Sequence, residues 1–201
     1  MQSYSQFGQD TYLTTNIYPD KKTGYFVEVG AYDGVNMSNT LMLEKMGWRG
    51  VCIEPNPRYF EKLKQARTCA LSDCAVYTKD DEYVDFMDDP SGGCSSIKET
   101  DTSNNRFDII KVRTKTLATI LSENNAPPFI EYLSIDTEGS EPAILEQHDF
   151  EKYKFGYICV EHNFKDHNRR RLRQLLESKG YKLQRENHVD DEYKWGFSID
   201  N

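Results

Sequence analysis

Short apolar runs alternate along this chain with stretches whose apolar residues recur every three to four positions. The runs YFVEVG (25–30), GVCIE (50–54), TCALS (68–72), YLSID (132–136) and GYICVE (156–161) are rich in residues that fit a pleated surface, and read as strands. Between them, MSNTLMLEKM (37–46, closed by Gly47), PRYFEKLKQA (57–66), LATILSENN (117–125), SEPAILEQ (140–147) and HNRRRLRQLLESKG (167–180) read as helices. Punctuation agrees: Pro57 and Pro142 fall in first turns, Ser140 sits at an N-cap and Gly180 closes the last helix. Two more strand-like runs, YVDFM (83–87) and DIIKVRT (108–114), flank a polar loop containing PSGGCSSI (90–97). In the tail, YKLQRE (181–186) and KWGFSI (194–199) read as a closing antiparallel pair joined by NHVDDEY.

This alternation calls for an α/β fold of Rossmann-like type: a mostly parallel sheet, helices on both faces, and a C-terminal antiparallel strand pair. The 201 residues suit one domain, with 1–24 as an N-terminal helical segment bordering the cleft. Ligands of such sheets bind where strands run out at their carboxyl edge. That rule selects Gly30–Gly34, Glu54, Ser72–Asp73, Asp136–Glu141 and Glu161–Asn163.

Composition narrows the classes. The net charge is −8, from 33 acids and 25 bases, which repels nucleic acid at long range. The one dense basic cluster, NRRRLRQ (168–174), lies on a helix and reads as a solvated face. No apolar run approaches eighteen residues, so no membrane span is expected, and MQSYSQFGQD lacks the n- and h-regions of a secretory signal. Five cysteines without a C-x-x-C pair, two of them (Cys52, Cys159) inside apolar runs, suit a reducing, cytoplasmic setting.

The chemistry concentrates at the strand ends. In EVGAYDG, Gly30 allows a tight turn and Gly34 allows close backbone approach, yet the third glycine of a dinucleotide loop is missing. Glu54 lies twenty-four residues beyond Gly30, the offset at which an acid accepts from both ribose hydroxyls; capping the next helix is its plain alternative. Glu28 and Asp33 stand where a pyrophosphate would go, so the loop suits a cationic cofactor without phosphate: S-adenosylmethionine rather than NAD. Across the cleft, LSIDTEGSE offers Asp136, Glu138 and Glu141, and VEHN offers Glu161, His162 and Asn163. Such a set can hold a divalent cation, magnesium or manganese, through Asp136, Glu161 and His162. Alternatively His162 serves as general base, with Glu138 second, or the cluster is a hydrogen-bonded structural one.

SQFGQD, FVEVGAYDG, SNT, GWRGVCIEPNP, ALSD, LSIDTEGSE and VEHN occur in that order. Together they resemble the FkbM family of S-adenosylmethionine-dependent O-methyltransferases, over about residues 5–163. The resemblance implies a class I methyltransferase fold, a seven-stranded sheet with one antiparallel strand. It implies that Gly30, Ala31 and Gly34 border the methionine end, that Glu54 binds the ribose, that Asn39 and Thr40 support the loop, and that Ser72 and Asp73 lie beside the adenine. Asp136 would sit near the reacting methyl, with Glu138 and His162 close by. Gln6, Gln9 and Asp10 of SQFGQD, together with Trp195, are the candidates for touching the acceptor, which in this family is often a sugar hydroxyl on a glycan or glycoside. The short loops fit a compact catalytic core, of a kind that a larger glycan-modifying polypeptide could carry. Two rivals remain at this point: a nicotinamide-dependent oxidoreductase and a non-catalytic carbohydrate-binding module.

Overall fold

The computed structural model describes residues 2–90, 94–100 and 107–196. Its eleven strands are β1 (Tyr25–Val29), β2 (Arg49–Ile53), β3 (Ala70–Ser72), β4 (Ala75–Val76), β5 (Tyr83–Asp88), β6 (Ser96–Ile97), β7 (Asp108–Lys115), β8 (Phe129–Ile135), β9 (Lys154–Glu161), β10 (Tyr181–Asn187) and β11 (Asp190–Trp195). The α-helices are α1 (Gln9–Tyr12), α2 (Leu41–Lys45), α3 (Pro57–Ala66), α4 (Leu117–Glu123), α5 (Glu141–Gln147) and α6 (Asp166–Ser178), and a π-helical turn, Leu13–Ile17, continues α1.

The main sheet has the order β10-β11-β9-β8-β1-β2-β3. Its neighbours pair in parallel except that β11 runs antiparallel to both β9 and β10, so β11 is the one reversed strand. The expected α/β architecture is therefore present.

Strand alternation divides the core. Val27, Val29, Val51, Ile53, Leu133 and Ile158 pack with Leu117, Ile120 and Leu121 of α4, Ile144 and Leu145 of α5, and Leu172 and Leu176 of α6. Phe26, Cys52, Tyr132, Tyr157 and Cys159 pack on the other face with Leu13, Leu43 and Leu63. Adjacent strand residues point to opposite faces, which sends successive side chains into different clusters.

A second sheet, β4-β7-β5-β6, leaves the first after β3. One face of it, with Phe86, Ile97 and Val112, closes on Ala75.

Three expected elements shift. The second hairpin strand is 190–195 rather than 194–199, because the chain reverses at His188–Val189 within the supposed loop; residues 197–201 lie outside the described residues. The helix expected over 37–46 begins only at Leu41, because Ser38, the Asn39 N–H and Thr40 are all bound to Glu28. The Gly/Ser loop is described only in part, since 91–93 lie outside the described residues.

The basic run on α6 is committed to ion pairs: Arg169 and Arg173 meet Asp191 and Glu186, and Arg171 meets Glu146. The five cysteines are free thiols. No helix among the described residues is long and apolar enough to cross a membrane.

Candidate active site

The carboxyl ends of β1, β2, β8 and β9 open into one cavity of about 320 Å³. Gly30 makes the close packing beneath it possible. Its φ is +84°, and a Cβ there would lie 1.9 Å from the Asp136 carbonyl oxygen. Only glycine accepts both conditions.

Glu54 sits in the wall beyond β2 and is buried. Its carboxylate accepts from the Tyr32 N–H at 2.9 Å and the Asn56 N–H at 2.8 Å. Burial raises its pKa to about 7, against those two bonds. Near it stand Tyr32, Ile53, Pro55, Ala75, Val76, Phe86 and Ile97, a largely apolar stretch of wall.

The acids of the two other strand ends converge. Carboxylate oxygens of Asp136, Glu138 and Glu161 lie within 4.8 Å of one another. The Asn163 amide donates to both Glu138 and Glu161 at 2.7 Å. Asp136 is solvent-exposed through its opening onto the cavity. The protein around it strips solvation and pushes its pKa up, to about 8, and the hydrogen bond with Glu161 opposes the rise. Glu161 is pushed well above the carboxylate range, by burial and then by the charges of Asp136 and Glu138. Like charges this close oppose one another's ionisation.

A third group comes from distant chain segments. Gln6, Gln9, Val189 and Asp190 complete the wall, and the Gln9 amide donates to Asp190 at 2.6 Å.

Backbone strain gathers here as well. Of eight non-glycine residues with positive φ among the described residues, Tyr32, Met37, Glu138 and Asn163 line the cavity, and Phe164 and His188 adjoin it in sequence. Strained backbone tends to concentrate at functional sites.

Among the expected site residues, Gln6, Gln9, Glu28, Gly30, Ala31, Asn39, Glu54, Asp136, Glu138 and Glu161 are brought to this wall. The others are placed elsewhere, each for a physical reason. His162 follows Glu161 on the strand and so faces the opposite way. Its Nδ1 accepts from the Phe164 N–H at 3.0 Å, and its Nε2 faces Asp191 at 3.7 Å. Burial lowers its pKa, and because Nδ1 accepts a hydrogen bond the neutral ring carries its proton on Nε2. The acid set is thus Asp136, Glu138 and Glu161, without the histidine. Asp33 accepts from the Val35 and Asn36 N–H groups and closes its own turn, leaving Asn36 in the wall. Gly34 packs inward, where a Cβ would meet Leu63 and Arg67. Thr40 is buried and donates to Glu28. Ser72 and Asp73 precede the point where the chain leaves the main sheet, and Ala75 and Val76 line the cavity instead. Asp10 organises its own segment, binding Ser3, Ser5 and the Tyr4 N–H. Trp195 stacks near Phe129 and Lys154, which start β8 and β9, at the amino edge of the sheet.

Glu28 lines the cavity but its charge is already matched. The Arg67 guanidinium, with no side-chain exposure, lies 3.2 Å from Glu28 and also pairs with Glu44. It donates further to Ser38, Thr40 and the Gly34 carbonyl. Glu28 is therefore a framework acid rather than a free countercharge for a ligand.

Residues 28–183 match the family model described as the methyltransferase FkbM domain. The chain belongs to the FkbM methyltransferase family. The solved structures include a similar protein, a methyltransferase from Pyrococcus furiosus, with a TM-score of 0.50 and 12% identity over 94% of this chain and 82% of that one. At that identity the likeness is one of fold. No curated protein matches the chain. Membership of the FkbM family makes the chain a methyltransferase and implies S-adenosylmethionine as methyl donor; it replaces the oxidoreductase and binding-module alternatives.

Phe86, Ile97 and Asp190 of the wall are not marked by the sequence pattern. Asp190 was hidden inside the supposed hairpin loop. Phe86 and Ile97 depend on pairing in the second sheet, which no local pattern reports.

Proposed function

We propose that this methyltransferase carries a methyl group from S-adenosylmethionine to a sugar hydroxyl. The observation that carries the reading is one cavity with Glu54 at the β2 end and the carboxylate set Asp136, Glu138 and Glu161 at the β8 and β9 ends. Three strand spacings separate β2 from β9, about 14 Å.

The residues present fit the cofactor. Glu54 is placed to accept from the ribose hydroxyls, and Val76, Phe86 and Ile97 offer an apolar wall to the purine. The acid set favours a positively charged sulfur centre and offers no site for pyrophosphate. When bound, the cofactor supplies an electrophilic methyl on a sulfonium. The chain's part is to align the acceptor hydroxyl and remove its proton. Asp136 accepts that proton, with Glu161 as its hydrogen-bonded partner and the Asn163 amide holding Glu138 and Glu161 in place. A raised pKa suits a base that works near neutral pH.

A second reading of the same acids is a divalent cation held by Asp136, Glu138 and Glu161, which would lower the hydroxyl pKa. Methyl transfer to a panel of methyl glycosides, with product mass read out, tests both readings. Transfer to none of them sinks the sugar assignment. Activity that survives exhaustive EDTA treatment removes the cation.

Cofactor affinity has its own expected pH dependence. Ribose hydroxyls donate to the ionised Glu54 carboxylate, whose pKa in the free protein is about 7. Binding of S-adenosylhomocysteine should therefore tighten as pH rises through about 7, and below that it should release a proton. Calorimetry in two buffers of different ionisation enthalpy reads this directly. Glu54→Gln should raise Kd roughly tenfold to a hundredfold and abolish the proton release. Unchanged affinity would remove Glu54 from the ribose site.

A further inference from the structure

Three wall residues of the cavity have an aromatic neighbour in sequence. Gln6 precedes Phe7, Asn163 precedes Phe164, and Val189 follows His188. The three segments are tied together. The His162 and Asn163 N–H groups both donate to the Val189 carbonyl, at 2.7 and 3.3 Å. Phe7 stacks on His188 with ring centroids 4.4 Å apart, and the Asn187 amide donates to the Phe7 carbonyl at 3.4 Å. This end of the cavity is the one that carries Glu161, Asn163, Asp190 and Gln9.

Phe164 is 68% exposed. A lone exposed phenylalanine needs no explanation. This one is held on show. It and Asn163 are consecutive residues in left-handed backbone, at φ +54° and +48°. Asparagine tolerates that conformation, but phenylalanine rarely adopts it. The buried His162 fixes it, because Nδ1 accepts the Phe164 N–H and the His162 carbonyl accepts the Lys165 N–H at 2.8 Å. The His162 ring also stands edge-on to Phe164, 5.9 Å away. His162 is thus a positioning residue, and Phe164 is what it positions.

We infer that Phe164, with the Phe7–His188 stack on the segments tied to its own, forms the acceptor platform, on which the C–H face of a pyranose ring lies while its hydroxyls meet the amides and carboxylates of Gln6, Gln9, Asn163 and Asp190. The inference rests on the sugar-methylating reading above and adds to it the orientation of the ring. A flat apolar surface beside hydrogen-bonding groups matches a sugar ring, which has an apolar face and a polar rim. An open-chain polyol has the hydroxyls but no such face. The platform therefore selects cyclic glycosides over alditols.

The test uses methyl hexopyranosides, methyl 6-deoxyhexopyranosides and the matching alditols, with kcat and KM measured separately. Phe164→Ala should raise KM for the best pyranoside about tenfold, the effect of uncovering one ring face. Turnover at saturation and affinity for S-adenosylhomocysteine should be preserved, the preference over alditols should shrink, and Phe164→Trp should restore KM. An unchanged KM in Phe164→Ala overturns the platform and leaves the sugar reading standing. Loss of S-adenosylhomocysteine affinity or of thermal stability in that variant overturns it too, by showing a merely structural role. If the unaltered enzyme methylates no pyranoside, the sugar reading falls and takes the platform with it.

Discussion

Asp136→Asn is expected to slow methyl transfer by about 10²–10⁴-fold, the usual contribution of a positioned base. Asparagine keeps the size of the side chain and the backbone contact with Gly30, but cannot take a proton. Affinity for S-adenosylhomocysteine should stay within a few-fold, since Glu54 and the apolar wall are untouched. The pH profile adds a second check. Asp136 must be ionised to act, and lost solvation raises its pKa to about 8. The rate should therefore climb with pH between the ordinary carboxylate range and about 8, with cavity water pulling the midpoint downward. Glu161→Gln removes the neighbouring carboxylate and should move that midpoint. A flat profile, or full turnover in Asp136→Asn, would remove Asp136 from the proton transfer. His162→Ala should leave the profile's shape unchanged, because that imidazole faces Asp191 rather than the cavity.

The second large effect concerns stability. Arg67→Ala should cost about 3–5 kcal/mol, because it strands the buried Glu28 and the half-buried Glu44 at once. Glu28 and Glu44 would lose their cation, and Ser38, Thr40 and the Gly34 carbonyl would lose a donor. For a chain of this size that is a fall in Tm on the order of 10 °C, read by thermal unfolding without ligand. Arg67→Lys should recover only part of the loss, since a point charge cannot reach both carboxylates through separate nitrogens. A change in Tm below a degree or two would mean that water replaces the guanidinium.

Much of this was legible in the sequence because strand ends are where ligands meet parallel sheets. Gly30, Glu54, Asp136 and Glu161 all follow apolar runs that are strands, so their placement needed only the pattern and the rule of the carboxyl edge. What the pattern leaves open is a choice of face or a distant partner. Glu161 and His162 are neighbours, and a one-residue step decides which of them meets the cavity. Glu28 resembled a free countercharge because Arg67 lies thirty-nine residues away in sequence. Asp33 was drawn into its own turn, a local hydrogen bond that competes with any ligand. Ala75 and Val76 line the cavity where Ser72 and Asp73 were expected because the chain leaves the main sheet after Ser72, and only the pairing of β4 with β7 reveals the departure.

The hydrogen bond between Gln9 and Asp190 spans 181 positions of the chain. The Glu54 end of the cavity, by contrast, draws its wall from residues between Glu28 and Ile97. Closing a long loop costs more chain entropy than closing a short one, and such contacts form late. On a ribosome, the Glu54 end has all its wall residues once the first half of the chain has emerged. The Gln9–Asp190 end must wait for β11, itself the strand that wedges between β9 and β10 to complete the sheet. The two ends of the cavity thus differ in the length of chain that must be made before their wall residues are all present.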